Sequence, residues 1–148
     1  MVKLSRDNRG VTLVELLVVV VILSIIATVS VIAIGNIIQT QRDKAFVGNA
    51  YMLVEAARLY LTEQQIQGQS VGRIPYQLLV ERDWMEELID PYTSTKLNHQ
   101  ENHSYVSVKD GTVEGVCLKG HTKNLCFFDG SVQPIPLKAL SVELIREN

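Results

Sequence analysis

RGVTLVELLVVVVILSIIATVSVIAI, residues Arg9 to Ile34, decides how the rest of the chain must be arranged. From Leu16 to Ile34 it runs for 19 residues without a charge. At about 1.5 Å per residue that makes roughly 28 Å of helix, enough to cross the ~30 Å hydrocarbon core of a bilayer. Glu15 sits on the amino-terminal shoulder of this run. An ionised carboxylate at that depth is costly unless it is partnered or snorkels to the headgroups.

The ten residues before the run, MVKLSRDNRG, hold Lys3, Arg6 and Arg9 against Asp7. Positive charge ahead of a span keeps the amino terminus in the cytoplasm and sends the carboxy-terminal part of the chain across the membrane. A cleaved secretory signal would have an apolar core of about 7–15 residues ending in small residues. The small residues here, Ala27 to Ser30, lie inside a continuing apolar run, so the stretch reads as a retained helix.

A short basic leader ending in Gly10, then Val11-Thr12-Leu13, with Glu15 as the fifth residue after the glycine, resembles the type III signal of type IV pilins and pseudopilins. The resemblance covers roughly the first 35 residues. That family usually starts its mature chain with Phe or Met, and Val11 departs from this pattern. The resemblance implies cleavage between Gly10 and Val11 by prepilin peptidase and methylation of the new terminus at Val11. It divides the chain into a cytoplasmic leader at 1–10, a transmembrane and assembly helix at 11–35, and an extracytoplasmic globular domain at 36–148. It implies a structural subunit of a pilus or pseudopilus serving competence, type II secretion, or adhesion and motility. The partners it implies are other pilin subunits in a homo- or hetero-filament, an inner-membrane assembly platform and, through it, an assembly ATPase. Membrane lipid would be the partner before assembly. Glu15 would then pair with the amino terminus of a neighbouring subunit. The alternative is a single-pass membrane protein whose extracytoplasmic domain binds a ligand and does not polymerise.

Removing leader and span leaves enough chain for one small core. Hydrophobic residues make up 47% of the 148, a share inflated by the span. Beyond Gly35 there are 11 Lys and Arg against 14 Asp and Glu, a net charge of -3. Bulk electrostatics therefore do not favour nucleic acid or an anionic surface. A DNA contact would have to rest on Lys119, His121 and Lys123 alone.

Phe46, Ala50, Leu53, Val54, Ala57 and Leu61 recur at helical spacing, predicting one amphipathic stripe that continues the span as a single helix to Gly68. Pro75 is placed to open a second helix through about Ile89, stopped by Asp90-Pro91, with Trp84 as core filler. The DPYTSTK segment beginning at Asp90 is similar to the Asp-Pro loop of major pseudopilins. From Ser104 the period switches to two. Asp110-Gly111 and Asp129-Gly130 mark hairpin turns among short strands, and Pro134 and Pro136 end the pairing. The apolar spacing of Leu137 to Arg146 fits a short terminal helix. The expected fold class is α+β: a long amino-terminal helix, membrane-spanning in its first half and amphipathic in its second, packed on a small antiparallel sheet.

Cys117 and Cys126 fall outside the cytoplasm, on adjacent strands if Gly120 to Lys123 is a turn. A disulfide suits that placement, with two buried free thiols as the alternative. His99, Glu101, His103 and His121 are the candidates for metal or catalysis. His99 and His103 are four residues apart, but in polar sequence without helical pattern they read as solvated loop histidines. Asp90, Asp110 and Asp129 adjoin Pro or Gly and read as turn residues rather than calcium ligands. No catalytic constellation, phosphate loop or cofactor motif is present in the sequence, so the expectation is a non-enzymatic chain without metal or cofactor.

Overall fold

The computed structural model describes residues 12–68 and 70–148. The chain divides into two compact units, Met1–Gln39 and Thr40–Asn148. Helix α1, Leu13–Ile66, contributes to both, and its 54 residues pass through Gly35 without a break. Nothing in that length breaks it, because no proline occurs before Pro75 and its two glycines, Gly35 and Gly48, each lower helix stability by only about 1 kcal/mol. Gly68, in the left-handed region at φ 73°, lies just past its end, a conformation that glycine adopts without steric cost.

In the second unit the predicted stripe is the buried face of α1. Phe46, Ala50, Leu53, Val54, Ala57 and Leu61 are each no more than 5% exposed. They pack with Ile74, Leu79, Val106, Val116, Leu118, Leu125 and Ile135 into one apolar core. The inward residues of the sheet alternate as a period of two requires, Val106 and Val108 pointing in while Tyr105 and Ser107 are half-buried.

The strands are β1 Arg73–Pro75, β2 Tyr105–Lys109, β3 Thr112–Lys119, β4 Lys123–Leu125, β5 Phe127–Phe128, β6 Ser131–Val132, β7 Ile135–Pro136 and β8 Arg146–Glu147, with the short helix α2 at Tyr76–Glu81. The main sheet runs β1-β2-β3-β4-β8, antiparallel throughout, with β7 also paired to β3. One edge of β3 carries β2, and the other carries β7 at Gly115–Val116 and then β4 at Leu118–Lys119. Gly115 makes this sharing possible, since a Cβ there would lie 2.9 Å from the Ile135 carbonyl oxygen. The outer edges are short: β1 has three residues and ends in Pro75, and β8 is the charged pair Arg146–Glu147. β5 and β6 form a separate hairpin. Both Asp-Gly turns have the expected backbone, with φ 49° and 73° at Asp110 and Gly111, and 50° and 77° at Asp129 and Gly130.

Three expectations need correction. The second helix stops at Glu81, eight residues before Ile89. Beyond it the backbone finds tertiary partners instead of helical ones: the Leu88 N–H donates to the Tyr76 hydroxyl at 2.8 Å, and the Ile89 carbonyl accepts from Asn49 Nδ2 at 2.8 Å. The terminal segment is two 3-10 turns, Leu137–Ala139 and Val142–Leu144, followed by β8, because its end pairs with β4. Pro136 does not end the pairing but takes part in it opposite Gly115.

Candidate assembly site

Thr12 precedes α1, and its Oγ1 accepts the Glu15 backbone N–H at 3.3 Å. Thr12 and Glu15 are thus spaced as a capping box, and a carboxylate in the first turn also faces the positive end of the helix dipole. In the sequence Thr12 reads as part of the leader motif, although Thr-x-x-Glu ahead of an apolar run is itself a helix-start pattern. The Glu15 side chain is exposed. Gly10 and Val11 lie outside the described residues.

Beyond Glu15 the helix offers an apolar surface. Its most apolar 18-residue window has a mean hydropathy of 3.1, and none of that window is buried. Leu16, Leu23, Ile26 and Val29 are all more than half exposed. Water does not tolerate a contiguous apolar surface of this size, so lipid or other protein must cover it. The polar groups within the run are spent internally: Ser24 Oγ donates to the Val20 carbonyl at 2.8 Å, Thr28 Oγ1 to Ser24 at 2.6 Å, and Ser30 Oγ to Ile26 at 2.8 Å. Such back-bonding satisfies these hydroxyl donors in a medium without water.

In the second unit, Cys117 and Cys126 are joined by a disulfide, their Cα atoms 4.4 Å apart and both side chains buried. A bridge closing a loop of this size contributes about 2–3 kcal/mol in the chain-entropy account.

Asp90 is fully buried, and its carboxylate accepts the Tyr92 N–H at 2.8 Å and the His121 N–H at 2.7 Å, with His121 Nδ1 at 3.3 Å. It therefore ties the 88–97 strap to the turn between β3 and β4. Gly120 leaves room for this carboxylate, as a Cβ there would lie 2.8 Å from Asp90 Oδ2. Tyr76, also buried, closes the neck of the strap, its hydroxyl donating to the Leu97 carbonyl at 3.1 Å while accepting from Leu88. The Tyr92 hydroxyl donates to Asp43 Oδ1 at 2.6 Å. Burial first, then Asp43, push the Tyr92 pKa well above its ordinary value.

His99 is not a solvated loop residue, a further correction to the sequence reading. Its Nδ1 lies 2.8 Å from Glu87 Oε1, and its backbone N–H donates to the same oxygen at 3.2 Å. His103 and Glu101 are exposed. Among the described residues no group of three His, Cys, Asp or Glu side chains is arranged to hold a metal ion. Nor do Lys119, His121 and Lys123 make a free cationic patch. His121 is held by Asp90, and Lys123 sits 3.9 Å from Asp43 and 4.8 Å from the Tyr92 ring centre.

The His99 bonds, the ring first and the backbone amide second, hold the Glu87 carboxyl below its ordinary value of 4.5. A carboxyl whose pKa falls on folding stabilises above its ordinary value and surrenders that contribution as pH drops through the lowered one. An NMR titration of the Glu87 carboxyl carbon is therefore expected to show a midpoint below 4.5, moving up towards it in His99→Ala without reaching it, because alanine keeps the backbone amide that donates to Glu87. A midpoint at the ordinary value in the unaltered protein would count against the clamp.

Residues 5–35 match the family described as the prokaryotic N-terminal methylation motif, the type IV pilin or prepilin-type signal. The chain matches no curated protein and no solved structure.

Proposed function

We propose that this chain is a structural subunit of a type IV pilus or pseudopilus, processed by prepilin peptidase and polymerised through its amino-terminal helix. The observation that carries this reading is the methylation motif at 5–35 coinciding with the start of a helix whose most apolar 18 residues are wholly uncovered. A plain anchor would need the apolar surface but not the motif.

In this reading the peptidase cuts between Gly10 and Val11, and the amine freed at Val11 is methylated. The subunit waits in the membrane with its first residues on the cytoplasmic side, its helix covered by lipid. An assembly platform, driven by a cytoplasmic ATPase, then moves it into a filament outside the cytoplasm. The helices exchange lipid for one another, so apolar surface remains buried throughout. Glu15 pairs with the amine of a neighbour, and such a pair away from water selects one register, because a misplaced copy leaves a charge unmatched. The role is structural, and the strap, the disulfide and the Asp90 tie serve to hold the small second unit rigid.

Mass spectrometry of the chain recovered from its native membrane tests the reading. The expected species begins at Val11 and carries one added methyl group. A chain that retains Met1 to Gly10 favours the single-pass protein that does not polymerise.

A further inference from the structure

A groove of about 650 Å³ on the second unit lies between α1 and the segment after α2. Met52 and Leu59 of α1 face Trp84, Met85 and Ile89 across it. Met52 and Leu59 are each 59% exposed and Ile89 57%, although the opposite face of the same helix is sealed in the core. Glu55 and Glu86 stand at its rim, and Glu86 is exposed and takes part in no ion pair among the described residues.

Another part of α1 carries the complement. Ile34, Ile38 and Arg42 succeed one another at intervals of four, which places them on a single helix face. Ile34 is 53% and Ile38 47% exposed, and Arg42 is exposed. Two branched apolar side chains followed one turn later by a cation form the pattern that a helix presents to an apolar groove with an acidic rim.

We propose that this groove receives the Ile34–Arg42 face of a second copy of the chain, with Ile34 and Ile38 against Met52, Leu59 and Ile89, and Arg42 against Glu86. The proposal rests on the filament reading above and adds a contact between copies outside the amino-terminal motif. The giving and receiving surfaces differ, so each copy does both and the contact propagates instead of closing a dimer. The acidic rim also rejects a copy displaced by one turn, whose arginine would miss Glu86.

The test uses the full chain in cells, with a photo-crosslinking benzoylphenylalanine at Ile38 and two isotopically distinct copies to identify links between chains. Adducts are expected in peptides containing Met52 to Leu59 or Trp84 to Ile89 of the other copy. Arg42→Glu and Glu86→Arg are each expected to lower the yield of sheared filaments about tenfold, and their combination to restore it to within about twofold. Filaments whose adducts lie only elsewhere, or a charge swap without rescue, overturn the docking and leave the filament reading intact. Absence of both filaments and inter-chain adducts in the unaltered chain overturns the two together.

Discussion

Glu15→Ala is expected to leave the protein inserted in the membrane and to abolish filaments. Insertion depends on the apolar run, with its mean hydropathy of 3.1, and removing a charge makes insertion easier. Assembly is different. Once a neighbour's amine is brought among apolar helices, removing the carboxylate leaves it without a counter-charge, and breaking such a pair costs about 3–5 kcal/mol. Each contact would then weaken by at least about a hundredfold, and a polymer built from repeated contacts would not persist. Immunoblots of the membrane fraction and of sheared filaments read the two effects separately. Glu15→Gln keeps the shape and the capping-box spacing while deleting the charge, and should fail equally. Normal filaments from either variant would remove the role given to this carboxylate.

The second large effect lies far from the motif. Asp90→Ala is expected to destabilise the folded second unit by about 3 kcal/mol, because it removes the buried carboxylate to which the Tyr92 and His121 amides both donate. For a unit of this size that corresponds to roughly 10 °C in Tm, measured on the detergent-solubilised full chain. The variant should also loosen the strap, opening 88–97 to amide exchange and proteolysis around Leu97, now 2% exposed. An unchanged Tm would mean that water replaces the carboxylate without loss, and the tie would lose its importance. His121→Ala should cost far less, since the shorter of its two contacts with Asp90 is made by the backbone amide that alanine retains.

The α+β layout was legible because its determinants are local and repetitive. An apolar run, a stripe at Phe46 to Leu61 with helical spacing, and two Asp-Gly turns each state their conformation within a few residues. The region from Arg82 to Leu97 was not legible for the opposite reason. Met85, Leu88 and Ile89 are spaced as on a helix, yet the decisive partners are Tyr76 and Asn49, distant in sequence and without periodicity. The same holds for His99, whose partner Glu87 lies twelve residues earlier. Asp90 looked like a turn former and is one, but its burial depends on the space left at Gly120, which no spacing rule reveals. The residues proposed to direct processing and assembly divide along this line as well: Gly10, Val11 and Glu15 belong to a contiguous motif, whereas the groove at Met52 and Ile89 exists only once the strap is folded.

The blunt edges of the main sheet bear on how such a domain survives crowding. In a filament, copies would stand side by side at local concentrations far above those of a dilute solution, and open strand edges would then invite runaway strand addition. Here one edge is a three-residue strand ending in Pro75, and the other is the Arg146–Glu147 pair. A proline offers no N–H to an incoming strand, and two opposite charges on a two-residue edge give a newcomer too little backbone and too much desolvation. Dense packing in such a filament would thus be channelled to helices, whose backbone groups are already satisfied, and a polymer that concentrated the domain would find little edge from which to seed amyloid.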